Sequence, residues 1–444
     1  MDSGARYPPD QRAACGLSGA LIVSKSPGKL FELVIVVGGK GVAVGSMFLC
    51  SLLAARGLGP NAYGHFAAAL SLVLLLDGLV GTPLDLATVR FGALFVADQA
   101  RSLPIQIALL RGKCALGALI VVIAVTYPTR LTLSFLPGAT PTLWFFISIN
   151  IAALLVLRAY SATLQSQSDF RSYSLLDVVQ GGLRLCLFSG LALAAEASAA
   201  TYLGLYAVAT LVSMALGRRR LRLPMATRAW PPAADLRLAL RYVGTTGVIS
   251  ILGTISARTD VVIIAAQGHT AATAYYSVAA QIAMIGTLLA SYASIVVQPR
   301  LLELTRQGQL LSLVKHNLRV SAVCALVLAV LQNTVLPDLV VRLFGAQYLP
   351  ALPILTWLLW SAWLDTLLFP VLVPYGLQLQ ARSCLLAECL FTSCYLAALP
   401  LAIAHVNVGI GVAMLVTALR VAKLTFYGVL LWNTQAGHAR TAVV

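Results

Sequence analysis

Arg258 and Asp260 lie two residues apart inside an apolar run, in SARTDVVII, and are the first candidates for chemistry in this chain. A charge at the centre of a membrane-spanning helix costs about 2.5 kcal/mol or more, so such a group faces a bundle interior, a water-filled cavity or an opposite charge. Residues two apart on a helix point in different directions, which makes a mutual ion pair poor geometry. Two readings stay open: at least one of them faces a cavity, or both find partners on neighbouring helices. Lys40 follows Gly38-Gly39 and precedes Gly41, where small residues permit close helix approach; it is a cavity cation or a side chain snorkelling to the interface. Arg184 sits in GGLRLC, while Arg420 and Lys423, at i and i+3, share a helix face.

Asp77, Asp365 and Glu388 lie deep enough in apolar runs to hold a proton or a cation if they line a cavity, and otherwise serve as partners for the buried bases. Asp85 and Arg90 close one run in LDLATVRFG and, five residues apart, need not touch. Trp357, Trp360 and Trp363 recur every three residues, as a sugar-stacking platform or as interfacial packing. The five histidines are scattered, and HExxH, GxSxG and phosphate-loop motifs are lacking, so no catalytic residue and no enzyme activity are expected. The eight cysteines include no CxxC pair and read as small buried apolar residues, which argues against a metal site or a disulfide framework.

The elements that must position these residues are membrane helices. Of the 444 residues, 59% are hydrophobic and 10% charged, with a mean hydropathy of +0.88. A soluble domain carries about 25% charged residues, so a water-soluble enzyme is excluded. Apolar runs fall at 31–54, 63–88, 106–127, 142–163, 174–194, 199–217, 242–266, 273–298, 318–337, 351–375, 383–405 and 408–432. Each is near or above the roughly 20 residues that cross about 30 Å of hydrocarbon, giving about twelve spans. The net charge of +16 lies in the gaps, not in a separate basic domain, so nucleic acid is not an expected partner. With the N-terminus inside, 23 of the 31 basic residues fall in cytoplasmic gaps, and only Arg56, Arg130 and Arg342 fall in outer ones. An asymmetry that large requires both ends to be cytoplasmic. The apolar part of the N-terminal stretch is short and followed by Lys25 and Lys29, so it reads as a tail and not as a signal peptide.

The basic gap 218–241 sits almost at mid-chain, and the sequence on either side echoes itself at an offset of about 212 residues. Ala54-Ala55, Ala62-Tyr63 and Ala67-Ala68 return as Ala265-Ala266, Ala274-Tyr275 and Ala279-Ala280; Leu164-Gln165 returns as Leu377-Gln378. Two echoes at one offset indicate an internal repeat of six helices, and an even number per repeat places the symmetry axis along the membrane normal. The expected fold is therefore an all-α polytopic membrane protein of two pseudo-symmetric six-helix bundles around a central cavity. The organisation read is a cytoplasmic tail 1–29, a first bundle 30–217, a linker 218–241, a second bundle 242–432 and a cytoplasmic tail 433–444.

Several of these segments resemble bacterial oligosaccharide-lipid flippases of the Wzx type, the polysaccharide-transport branch of the multidrug/oligosaccharidyl-lipid/polysaccharide exporter superfamily. The likeness is carried by Lys40-Gly41 through LLAARGLGPNAYGHFAAALSL, by Leu76-Asp77-Gly78 through TPLDLATVRF, and by SARTDVVIIAAQGHTAATAYYSVAAQI. It continues through LQSQSDFRSYSLLD, LFGAQYLPALPIL and GIGVAM, covering about 28–432. The resemblance implies a V-shaped pair of bundles that opens alternately to each side of the bacterial inner membrane. Its cargo would be an undecaprenyl-pyrophosphate-linked oligosaccharide for capsule, exopolysaccharide or O-antigen, with a polymerase and a chain-length regulator as partners.

In this reading Arg258, Arg90, Lys40 and Arg184 are the cavity cations that bind substrate. Asp260, Asp77, Asp85, Asp365 and Glu388 are the candidates for coupling to H⁺ or Na⁺, with no other cofactor. Arg bonds phosphate in a bidentate manner, which suits a diphosphate cargo. A multidrug/cation antiporter of the same superfamily would favour an acidic or aromatic cavity. A polysaccharide polymerase or ligase would need a large outer loop, and the outer gaps are short.

Overall fold

The fold is known from a computed structural model that describes residues 27–95, 98–192, 197–221, 230–285, 334–377, 381–405 and 407–441, with a few positions between 327 and 332. The expected N-terminal tail up to residue 26, the last three residues of the C-terminal one, the middle of the linker, the second half of the eighth run and most of the ninth lie outside the described residues. Among the described residues every regular element is helical. In chain order they are α1 (Pro27–Leu76), a π-helical turn (Asp77–Gly81), α2 (Thr82–Leu94), α3 (Gln99–Thr126), α4 (Pro128–Phe135), α5 (Pro141–Ser166), α6 (Phe170–Ala192), α7 (Ala199–Leu221) and α8 (Ala233–Ala266). There follow α9, helical over 270–285, then α10 (Leu336–Phe344), a 3-10 turn (Ala346–Ala351), α11 (Leu352–Leu377), α12 (Ala381–His405) and α13 (Val408–Thr441).

Local sequence accounts for the breaks between helices. Asp98 caps α3 by accepting the Arg101 amide, and Thr140 caps α5 by accepting the Leu143 amide with Pro141 in the first turn. Within α1, Pro60 disfavours helical geometry at the preceding residue, and Gly59 takes φ 70 and ψ 172. The chain folds back there. Ser51 and Tyr63, about 18 Å apart along a straight helix, are hydrogen-bonded through their hydroxyls. Gly268, at φ 82, makes the corresponding turn between α8 and α9, so each echoed segment is a helical hairpin.

Seven stretches of the described residues are long and apolar enough to cross a membrane. The first, Val34–Leu94, is 61 residues long and takes in the second apolar run and all but the first three residues of the first. The remaining six correspond to the third to sixth, eleventh and twelfth runs, making this a multi-pass all-helical membrane protein. Helices α1, α3, α5, α6 and α7 pack against one another, as do α11, α12 and α13. α8 touches both groups: α1 and α2 on one side, α12 and α13 on the other. The main apolar core is continuous between the groups, from Tyr63, Phe66 and Tyr202 to Tyr276, Phe344 and Tyr348.

Candidate functional site

The two hairpins meet at their turns. A Cβ on Gly64 would lie 2.0 Å from the Thr270 carbonyl oxygen, so only glycine lets α1 approach α9 this closely. Beside that contact the Arg56 guanidinium donates to the carbonyls of Arg342 and Leu343, capping the C-terminal end of α10. The Tyr348 hydroxyl donates to the Ala55 carbonyl at 3.0 Å, and its ring packs edge-on against Tyr63. At the opposite end Arg101 donates twice to Asp235, at 2.6 and 3.0 Å, joining the first turn of α3 to that of α8. Tyr242 of α8 is wedged there between the Arg90 guanidinium and the Phe91 ring.

Between these two ends lies a cavity of about 400 Å³. α1 lines it with residues from both sides of the Gly59 turn, including Phe48, Phe66 and Ser71. Arg258 and Asp260 enter it from α8, Ser277 and Gln281 from α9, Ser361 and Asp365 from α11, and Arg420 from α13. Most of the remaining wall is aliphatic or aromatic.

Three of the four charges in this wall are held by other protein groups. Asp260 accepts the Tyr276 hydroxyl on one oxygen and the Val261 amide, at 2.8 Å, on the other, which ties α8 to α9. Asp365 is paired with Arg420 at 3.1 Å. Arg258 has neither a hydrogen bond nor an ion pair to any described residue. Among the described residues, the charge available to a ligand is therefore positive.

The other sequence candidates are distributed differently. Lys40 is paired with Asp177 at 2.7 Å and lies over the Tyr173 ring, between α1 and α6. Arg184 is buried, with its guanidinium 3.9 Å from the Tyr206 ring centre and its Nε without a hydrogen-bond partner among the described residues. Arg90 is exposed and sits at the Arg101 end against Tyr242. Asp77, in the π-helical turn, lies 3.9 Å from Arg158 and has one buried oxygen that no described residue bonds. Asp85 pairs with Lys113, which is only 1% exposed, and Glu388 pairs with Lys423 at 2.6 Å.

None of Trp357, Trp360 and Trp363 lines the cavity. α11 turns Leu358, Ser361, Ala362 and Asp365 to it, while Trp360 and Trp363 pack edge to face. The structure thus gathers Arg258, Asp260 and Asp365 in one cavity and leaves Lys40, Arg184, Asp77 and Asp85 inside the first helix group. Sequence reasoning passed over Arg158, which sits near the end of a run and looks like a cytoplasmic base. It also gave no role to Ser277 and Gln281, since uncharged polar residues in an apolar run carry little signal.

Comparison with known proteins places this arrangement in a family. No curated protein sequence matches the chain significantly. Among solved structures, an inward-facing multidrug resistance MATE transporter of the MOP superfamily aligns over 90% of this chain and 98% of its own, with 13% identity and TM-score 0.65. The lipid II flippase MurJ, in an inward closed conformation, aligns over 90% of this chain and 86% of its own, with 11% identity and TM-score 0.69. An outward-facing MATE transporter aligns over 90% and 96%, with 14% identity and TM-score 0.57. At these identities the likeness is one of fold. The sequence model described as "Polysaccharide biosynthesis protein" matches residues 33–305, well over half of the chain, and the chain belongs to that family.

Proposed function

We propose that this protein flips undecaprenyl-pyrophosphate-linked oligosaccharide repeat units from the cytoplasmic to the outer leaflet of the bacterial inner membrane. A polar glycan cannot enter about 30 Å of hydrocarbon, so its head group needs a polar passage while the lipid tail stays in the bilayer. The observation that carries the proposal is Arg258, a guanidinium unpaired among the described residues, in a cavity between two helix groups. Guanidinium is matched in shape to phosphate, and in a confined site a diphosphate would supply the direct hydrogen-bonded partner that no described residue gives it.

The twelve-span, two-bundle layout with both ends cytoplasmic belongs to this reading, and it makes the Arg56 end the outer one. The lateral contacts of Arg56, Tyr348 and Gly64 close that end. Alternating access then requires these contacts to part. Asp77 is the preferred coupling residue for H⁺ or Na⁺, because it combines burial, an oxygen that no described residue bonds and a cation only at 3.9 Å. A polymerase and a chain-length regulator would receive the product outside.

The rival, a drug/cation antiporter, has the MATE fold and the cavity carboxylates in its favour. Both carboxylates already have hydrogen-bonding or cationic partners within the protein, which favours an anionic cargo. The test is genetic. Deletion of the gene should abolish surface polysaccharide and accumulate lipid-linked repeat units inside the cell, and Arg258→Ala should fail to restore export. Normal export in the deletion strain, with no substitute transporter, would refute the proposal.

A further inference from the structure

Ser277 and Gln281 stand one helical turn apart on α9 and line the same cavity as Arg258. Ser277 is 6% exposed, yet its hydroxyl oxygen has no hydrogen-bond partner among the described residues. Threonines on α9 itself and on neighbouring helices behave otherwise. Thr273, Thr254 and Thr417 each bond back to the carbonyl four residues earlier. Gln281 donates its amide nitrogen to the Tyr63 hydroxyl at 3.1 Å, while no described residue bonds its buried carbonyl oxygen. The Tyr63 hydroxyl also bonds to Ser51, so the orientation of the Gln281 amide is fixed from across the cavity by α1.

Resting on the flippase reading above, we propose that Ser277 and Gln281 read the sugar attached to the diphosphate that Arg258 holds. Residues at i and i+4 have Cβ atoms about 5–6 Å apart on one helix face, close enough for both polar ends to converge on one sugar ring. The hydroxyl of Ser277 can donate or accept, and the Gln281 oxygen accepts. The complementary group is one that both donates and accepts, such as a pair of sugar hydroxyls or an acetamido substituent. Because Tyr63 belongs to α1 and Gln281 to α9, parting the hairpins at the Arg56 end breaks the bond that orients the amide. Sugar recognition is thereby strongest in the conformation that loads substrate, and it weakens when the outer end opens.

The test uses the full-length protein in lipid nanodiscs and two probes, a polyprenyl diphosphate and the same lipid bearing one N-acetylhexosamine. The dissociation constant of each is measured for wild type, Ser277→Ala, Gln281→Leu, Tyr63→Phe and Arg258→Ala. Wild type should bind the glycosylated lipid more tightly. Ser277→Ala and Gln281→Leu should each cut that preference by roughly three- to tenfold, the worth of one hydrogen bond, with the bare lipid unaffected. Tyr63→Phe, which leaves Gln281 in place but unoriented, should reduce the preference less. Arg258→Ala should weaken both probes together.

If wild type binds both probes and the preference is absent, or survives in the Ser277 and Gln281 variants, this inference fails and the flippase reading stands. The inference fails in the same way if those variants weaken both probes equally. Should wild type bind neither probe, the flippase reading falls, and the sugar subsite with it.

Discussion

At the scale of single residues, charge pairing separates binding groups from structural ones. Arg258 is the cavity charge without a partner among the described residues, and its replacement by alanine should reduce transport at least tenfold with folding intact. Arg258→Lys keeps the charge but loses the planar fork, and should restore transport only in part. Asp85 and Lys113 behave as a structural pair. Asp85→Asn alone strands a nearly fully buried ammonium and should destabilise the protein by about 3–5 kcal/mol. The double replacement Asp85→Leu with Lys113→Met should recover most of that loss, read as melting temperature in detergent. Recovery of stability and transport together would exclude Asp85 from ion coupling.

At the scale of elements, the two hairpins and their turns control the Arg56 end. A methyl group on Gly64 collides with backbone, not with a flexible side chain, so Gly64→Ala must push α1 away from α9. Arg56→Ala leaves the last carbonyls of α10 without their donor. Both changes should shift the population towards the state open at that end. Spin labels at Asn61 and Gln267, both exposed, should report a longer and broader distance distribution in either variant. An unchanged distribution would mean that these contacts do not govern opening.

The hairpins themselves were legible in the sequence, because Gly59-Pro60 and Gln267-Gly268 interrupt apolar runs that echo one another. The contacts of their turns were not, since Arg56 reaches a carbonyl 287 residues away and no local pattern encodes that. The direction of each buried charge was equally hidden. Composition places Lys40, Arg184 and Arg258 alike inside runs, and only packing distinguishes a lysine paired with Asp177 from a cavity arginine.

At the scale of the whole molecule, a cavity between helix groups, a cation unpaired among the described residues and a closed end together suit a carrier of anionic lipid head groups. The most direct measurement is flipping by the purified protein in proteoliposomes, with a fluorescent polyprenyl-diphosphate glycan as cargo and its exposure followed by a quencher outside the vesicle. Wild type should move the lipid between leaflets, Arg258→Ala should slow it at least tenfold, and a lipid bearing the same glycan through a neutral linkage should not be moved by either. Equal flipping by wild type and Arg258→Ala, or movement of the neutral lipid at the same rate, would contradict the claim that this guanidinium receives the diphosphate.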